Sequence, residues 1–404
     1  MITLDEARDF VLSRVAPPSP TRIPLADAAG LVLAADIVAE ETVPPFDNTA
    51  MDGFAIVAAD TATVPTVLNV VGTVAAGSAA DKPIFTGQAM RIMTGAPMPP
   101  GADAVVMVER TTYDEAASTV EIEISVPVGN HVRGSGEDVQ PGDLLYAAGT
   151  VLGAGHLGVL ASVGIAEVDV IARPRVGVVS TGDELVDDGR PLQPGEIRDS
   201  NRLTLLTLLR EAGFEAVDLG LARDNEPDIE AVFRRGADTC DAVLSSGGVS
   251  MGAFDYVKVV LDRIGDMRWM QIAIKPAKPF AFGLIGDVPV FGLPGNPVSS
   301  MVSFELFARP ALRKMSGLDA FHRATRLAIS EDPLGRHDDG KTHFLRVAGG
   351  PDGAGRWHIH KLDGQGSHQL TAMARATALA IVPDGVDIGA GDEVEIIPIG
   401  TLGA

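Results

Sequence analysis

Between residues 174 and 320 the sequence places carboxylates and glycines at the ends of β-type runs. The run GVVS leads into TGDEL, which puts Thr181, Asp183 and Glu184 at a strand's carboxyl end. AVLSSGG leads to Ser250 and then to Asp255 where the next helix is predicted to start; VDLGLA leads to Asp224; VPVFG leads to LPGNP, in which Pro294, Gly295 and Asn296 open a helix. Ligands of open α/β sheets bind beyond the carboxyl ends of the strands, so these residues are predicted to share one rim. Gly247 and Gly248, with the backbone N–H groups that follow, predict a phosphate cradle at a helix N-terminus. The carboxylates suit a hard cation such as Mg²⁺, which keeps several waters and bridges one or two carboxylates to substrate phosphates. Positive charge comes from IKPAKPF, where Lys275 and Lys278 are two of only seven lysines in the chain. Each precedes a proline, which disfavours helix at the lysine and predicts a stiff extended segment presenting both cations to an anion. Period 2 sets them on opposite sides of that segment unless the prolines bend it.

Two generic signatures are discounted. Gly153, Gly155 and Gly158 spell the dinucleotide fingerprint, but Arg173 stands twenty residues on where a carboxylate is required, so close helix packing is the expected reason for these glycines. Gly248, Ser250 and Gly252 spell a hydrolase nucleophile elbow, yet two glycines between strand and serine loosen the sharp turn an elbow needs.

The elements that must hold this rim follow from periodicity. From 174 to about 320 strand and helix alternate, predicting a doubly wound, mostly parallel sheet covered on both faces. Ser200 is the expected N-cap and Gly213 the expected stop of one helix. Residues 46–144 carry short β runs between Gly/Pro turns and read as an inserted β-rich domain. Residues 1–45 with 145–173 read as a discontinuous N-terminal linking domain. It begins with a helix whose Thr3 and Glu6 have capping-box spacing, onto which 151–171 is expected to pack back. Residues 323–404 return to short strands and predict a small C-terminal β-barrel.

Composition narrows the function. The 404 residues hold 32 Lys+Arg against 54 Asp+Glu, a net charge of −22, which argues against a nucleic-acid footprint. The single cysteine, Cys240, excludes an intramolecular disulfide framework and any Cys-rich metal site and points to a reducing compartment. The acidic start MITLDEARDF has no apolar run and does not read as a signal peptide, and the uncharged stretch 144–166, long enough for a bilayer, holds five glycines and His156 and reads as a buried helix between strands. A cytoplasmic protein that engages no membrane is expected.

Nine segments occur in order: PPFDNTAMDGFA (44–55), RIMTGAPMPPGADAVV (91–106), GEDV (136–139), STGDEL (180–185), RDSN (198–201), SSGGVSMGAFD (245–255), KPAKPF (275–280), LPGNPVS (293–299) and QGSH (365–368). Together they resemble the molybdopterin molybdenumtransferase family, MoeA, related to the E domain of gephyrin. The resemblance implies a four-domain homodimer with a shared active site. It implies insertion of molybdenum from molybdate into adenylated molybdopterin, with Mg²⁺-dependent loss of AMP. It further implies site roles for Asp52, Thr94, Asp138, Glu184, Asp224, Asp255, Lys275, Lys278, Arg346 and Ser367. Joined with the rim read from the strand ends, the expected catalytic set is Asp52, Asp138, Glu184, Asp255, Lys275 and Lys278, the expected metal ligands are Glu184, Asp224 and Asp255, and the expected substrate contacts are Thr94, Thr181, Gly247, Gly248, Ser250, Asp224, Pro294, Gly295, Asn296, Arg346 and Ser367. Thr94, Arg346 and Ser367 rest on the resemblance alone. Ala277 departs from the family's glycine between the two Lys-Pro pairs, and Phe54 from its usual tyrosine. A molybdopterin adenylyltransferase and a non-enzymatic, gephyrin-like scaffold stand as the alternatives.

Overall fold

The computed structural model describes residues 1–80, 82–248 and 256–399. The chain divides into two compact units, residues 22–170 and residues 1–21 with 171–404.

In residues 22–170 a six-stranded sheet is built around the buried strand Gly53–Ile56, which pairs antiparallel with Gln88–Ile92 on one side and Ala104–Met107 on the other. Gly53 has to be glycine: a Cβ there would lie 2.0 Å from the Val106 carbonyl oxygen. Phe54 fills the core beneath this sheet with Ile56, Leu68, Val106 and Val120, so a phenyl ring here serves packing. A smaller three-stranded sheet joins Thr21–Pro24, Val32–Leu33 and Glu167–Ile171. The helix Ala154–Ser162 packs there, on the turn Leu25–Asp27, through Leu160. A Cβ on Gly155 or Gly158 would meet nothing within 4 Å, so close helix packing is not why they are glycines.

The N-terminal helix Leu4–Leu12 belongs to the other unit, contrary to the expected packing of 151–171 against it. Its capping box forms, with Thr3 N–H donating to Glu6 Oε2 at 2.7 Å and Glu6 N–H to Thr3 Oγ1 at 3.1 Å. Its apolar stripe buries Ala7 and Val11 in the core shared with Leu312, Phe307 and Phe282. The main sheet uses β1 (Arg175–Thr181), β2 (Glu215–Ala222) and β3 (Ala242–Ser246), with helices α1 (Asn201–Glu211), α2 (Glu226–Thr239) and α3 (Tyr256–Ile264) between and after them. It continues through β4 (Asp266–Gln271), past the short β5 (Ile274–Lys275), to β6 (Pro279–Ile285) and β7 (Val288–Leu293), which leads into α4 (Pro297–Ser303). Strand order is β2-β1-β3-β7-β6-β4; the first four are parallel, β6 runs antiparallel to β7, and β4 pairs antiparallel with β6. The sheet is therefore mixed rather than wholly parallel, because β6 turns back into β7 through a tight two-residue turn at Gly286–Asp287. Its strands are near-continuous apolar runs because both faces are covered, one core holding Val176, Val178, Leu244 and Phe291 and the other Val179, Val243, Phe233 and Val260.

The C-terminal strands β8 (Arg326–Ser330), β9 (Thr342–Pro351), β10 (Trp357–Lys361), β11 (Ala378–Val382) and β12 (Glu393–Pro398) close into a five-stranded barrel, β9 pairing with both β10 and β11. The short β5 adds to this barrel, with Ile274 opposite Thr342 and Lys275 opposite His343.

Candidate functional site

Three parallel strands end together. The Gly247 Cα lies 3.9 Å from where a Cβ would stand on Gly295, and a Cβ on Gly247 would fall 3.2 Å from Thr181 Oγ1. The loops after β1, β3 and β7 thus converge as the rim requires. Gly247 and Gly248 have φ of +98° and +69°, conformations that suit glycine, and a Cβ on Gly248 would collide with Val257 of α3. The Gly247 N–H, however, donates to the Leu293 carbonyl at 3.0 Å, extending the β3–β7 ladder. It is not available to a phosphate, and the expected cradle loses that donor. Ser250 and Asp255 lie outside the described residues.

The segment 198–202 ties these loops down. Asn201 Nδ2 donates to Ser246 Oγ and to the Gly295 carbonyl, both at 2.7 Å. The Asp199 side chain, 1% exposed, accepts from Ser180 Oγ at 3.0 Å and from the Arg202 backbone N–H at 3.2 Å, and pairs with the Arg202 guanidinium at 3.2 Å. Ser200 makes no side-chain cap, so the capping of α1 expected from Ser200 falls to Asp199. Gly213 ends α1 at φ +83°.

At the carboxyl ends of β1 and β2, Asp183 Oδ1 accepts from the Asp224 N–H at 3.1 Å. Burial, opposed by a hydrogen bond that the Asp224 carboxylate accepts from the Asp183 backbone but reinforced by the Asp183 charge, pushes the Asp224 carboxyl above its ordinary value. Glu184 folds its carboxylate back over Gly182. Asp183 is thus a neighbour of Asp224 at this rim. Among the described residues no three His, Cys, Asp or Glu side chains gather to hold a metal ion. Two mutually repelling oxygen donors do fit a hard cation that keeps most of its waters.

The lysines sit on a folded loop. The Ile272 N–H donates to the Lys278 carbonyl at 2.8 Å, and Ala277 stands at φ +77°, so the segment doubles back instead of running extended. Both lysines are exposed, while Pro276 and Ala277 are buried between them. Beyond Lys275, the His337 and His343 rings stack at 3.8 Å and 8°. Burial first, then His343 and the Lys275 ammonium, hold the His337 imidazole below the usual histidine value.

Arg346 of β9 is 1% exposed, and its Nη2 donates to the Gly364 and Gly366 carbonyls at 2.8 and 3.2 Å. Its Nε is buried with no hydrogen-bond partner among the described residues, and burial lowers its pKa. Gln365 grips the same strand, accepting from the Arg346 N–H and donating to the Arg346 and Leu362 carbonyls. The loop so held delivers the Ser367 carbonyl to the Val298 N–H at 3.1 Å, at the start of α4. Pro294 is buried there, while Gly295 and Asn296 are exposed, and the Asn296 side chain makes no cap. Thr181, Gly247, Gly295, Asn296, Arg346 and Ser367 are thus brought into one connected neighbourhood.

In residues 22–170, Asp52 Oδ1 accepts from both the N–H and the Oγ1 of Thr94 at 2.7 Å, and these bonds, backbone first, hold its carboxyl below the ordinary value. Asp138 is exposed, with its N–H donating to the Val43 carbonyl. Sequence reasoning gave no role to Asn201, Ser246 or Gln365, although the RDSN run was visible as a motif and placed Asn201 at the start of α1.

A mixed α/β sheet whose strand-end loops meet a C-terminal barrel, with a β-rich N-terminal portion, defines a multidomain α/β plus β protein. Its sequence matches three family models: the MoeA N-terminal region (domains I and II) over residues 2–164, a probable molybdopterin binding domain over 177–314, and the MoeA C-terminal region (domain IV) over 336–399. It is 38% identical over 404 residues to the molybdopterin molybdenumtransferase of Haemophilus influenzae, covering all of both chains. It is 39% identical to molybdopterin molybdenumtransferase 2 of Mycobacterium tuberculosis, covering 93% of this chain and 94% of that one. A molybdopterin biosynthesis MoeA protein of Pyrococcus horikoshii superposes with a TM-score of 0.82 at 31% identity, covering 98% of this chain and 99% of that one. The chain belongs to the MoeA family of molybdopterin molybdenumtransferases, transferases of molybdenum cofactor biosynthesis.

Proposed function

We propose that this transferase inserts molybdenum from molybdate into adenylated molybdopterin, with Mg²⁺-dependent release of AMP. The observation that carries the reading is an anion-handling set on linked elements in a chain of net charge −22: the exposed Lys275 and Lys278 on one folded loop and, on the strand that pairs with β5, Arg346 with its Nε unpartnered among the described residues. Dithiolene, phosphate and molybdate are all anions. Bringing them together costs electrostatic work that preorganised cations offset locally.

Glu184, Asp224 and Asp255, with Asp183 beside Asp224, would hold Mg²⁺, and when bound the ion would neutralise charge on the phosphoanhydride. The protein's own groups then have separate tasks. Asn296 and Ser367 orient the substrate at the start of α4, and the lysines attract phosphate and molybdate. The Asp52–Thr94 pair, exposed in residues 22–170 without a metal-binding partner set among the described residues, supports a symmetric homodimer in which Asp52 and Asp138 complete the site of the other subunit.

The test is AMP release from adenylated molybdopterin, followed with and without molybdate and with and without Mg²⁺. Release dependent on both is the expected result. A protein that forms adenylated molybdopterin from ATP, but does not consume it, would be an adenylyltransferase instead.

A further inference from the structure

Ser246 is the last residue of β3 and is 3% exposed. Its Oγ is reached by Asn201 Nδ2 at 2.7 Å. Which end of the Asn201 amide faces Ser246 is fixed chemically, because the same nitrogen also meets the Gly295 carbonyl, and a carbonyl can only accept. The Ser246 oxygen is therefore an acceptor toward Asn201, and its proton must be donated elsewhere. No acceptor for it exists among the described residues. A nearly buried hydroxyl with an unused proton is costly, and a ligand oxygen relieves the cost. Ser246 directly precedes Gly247, whose N–H is committed to the Leu293 carbonyl, so the hydroxyl is the donor left at the cradle expected there.

We propose that Ser246 donates a hydrogen bond to the phosphate of the adenylated pterin, and that Asn201 is a positioning residue that fixes the direction of this donation. The inference rests on the proposed function for the identity of the phosphate. Its geometry, a serine oriented by an amide locked on Gly295, does not depend on molybdenum insertion.

The roles make Asn201→Asp informative. A carboxylate of the same shape would accept the Ser246 proton and withdraw it from the ligand, and so should mimic loss of the hydroxyl. AMP and adenosine are titrated by calorimetry onto the full-length wild type, Ser246→Ala, Ser246→Thr, Asn201→Asp and the Ser246→Ala/Asn201→Asp double variant. Ser246→Ala should weaken AMP roughly 10- to 100-fold, as expected for a hydrogen bond to a charged group, and leave adenosine unchanged. Ser246→Thr, which keeps the hydroxyl, should restore most of the affinity. Asn201→Asp, whose new carboxylate also repels the phosphate, should weaken AMP at least as much as Ser246→Ala, and the double variant should lose less than the two single losses combined.

Wild-type AMP affinity in Ser246→Ala would overturn the proposal. So would full additivity in the double variant, equal loss of adenosine, or failure of the wild type to bind AMP. Should Asn201→Asp not fold, the Ser246→Ala and Ser246→Thr pair decides alone. A wild type that binds AMP with this pattern yet releases none from adenylated molybdopterin would instead refute the proposed function and leave the inference standing.

Discussion

Single residues carry the chemistry, and their neighbours say how each should respond. Lys275→Met keeps the stem and removes the charge, so the fold should persist while turnover falls roughly 10²- to 10³-fold. The same change removes one of the charges that lower the His337 pKa, so the His337 titration seen by NMR should move upward, whatever the activity. Asp224 carries the opposite sign of linkage from a salt-bridged acid. Its pKa is raised, so the fold is favoured below the ordinary carboxylate range and loses that margin as pH rises through the raised value. Asp224→Asn should therefore raise Tm at pH 7 without metal and show no gain near pH 3, and under the proposed Mg²⁺ role the Tm rise expected on adding Mg²⁺ to the wild type should shrink in the variant. Ala277 is buried at φ +77°. Glycine there would relieve left-handed strain of about 1–2 kcal/mol but give up a buried methyl and add unfolded-state freedom. Ala277→Gly should shift stability by less than about 1 kcal/mol in urea titration, whereas Ala277→Val, branched and overpacked, should cost about 2 kcal/mol or more.

Elements were legible where a pattern is local. The Thr3–Glu6 capping box, the Gly213 stop and the rim formed by Thr181, Gly247 and Gly295 all follow from spacing or from strand–turn–helix order. What spacing does not encode is pairing between distant segments. Lys275 joins the C-terminal barrel through His343, sixty-eight positions on, and no period in KPAKP announces it. Likewise RDSN reads as a helix start, and only the tertiary structure reveals Asn201 spanning two loops at once. Gln365 belongs to this class. It makes three hydrogen bonds within its loop and to β9, so Gln365→Ala should cost about 2–3 kcal/mol by urea unfolding and lower turnover by releasing Ser367 from the start of α4. Gln365→Glu, which retains the acceptor but loses the donors, should fall between.

At the scale of the whole molecule, a shared active site predicts a homodimer: light scattering at micromolar concentration should give about twice the 42.0 kDa of one chain, and a stable species of single mass would remove the shared-site reading. No described helix is long and apolar enough to cross a membrane, so the uncharged stretch 144–166 is divided between β-structure and the short helix Ala154–Ser162. One feature of the lysine loop reaches beyond the reaction. Lys275 is the last residue of a strand in the barrel sheet, and Lys278 directly precedes a strand of the α/β sheet, three residues away. The α/β portion and the barrel are therefore sewn together at the loop that collects anions. Evolution or engineering that excises the barrel as a cassette would unstitch Lys275 even though Lys275 itself is encoded in the portion retained, so recombination between relatives should succeed only when both sides of this seam are inherited together.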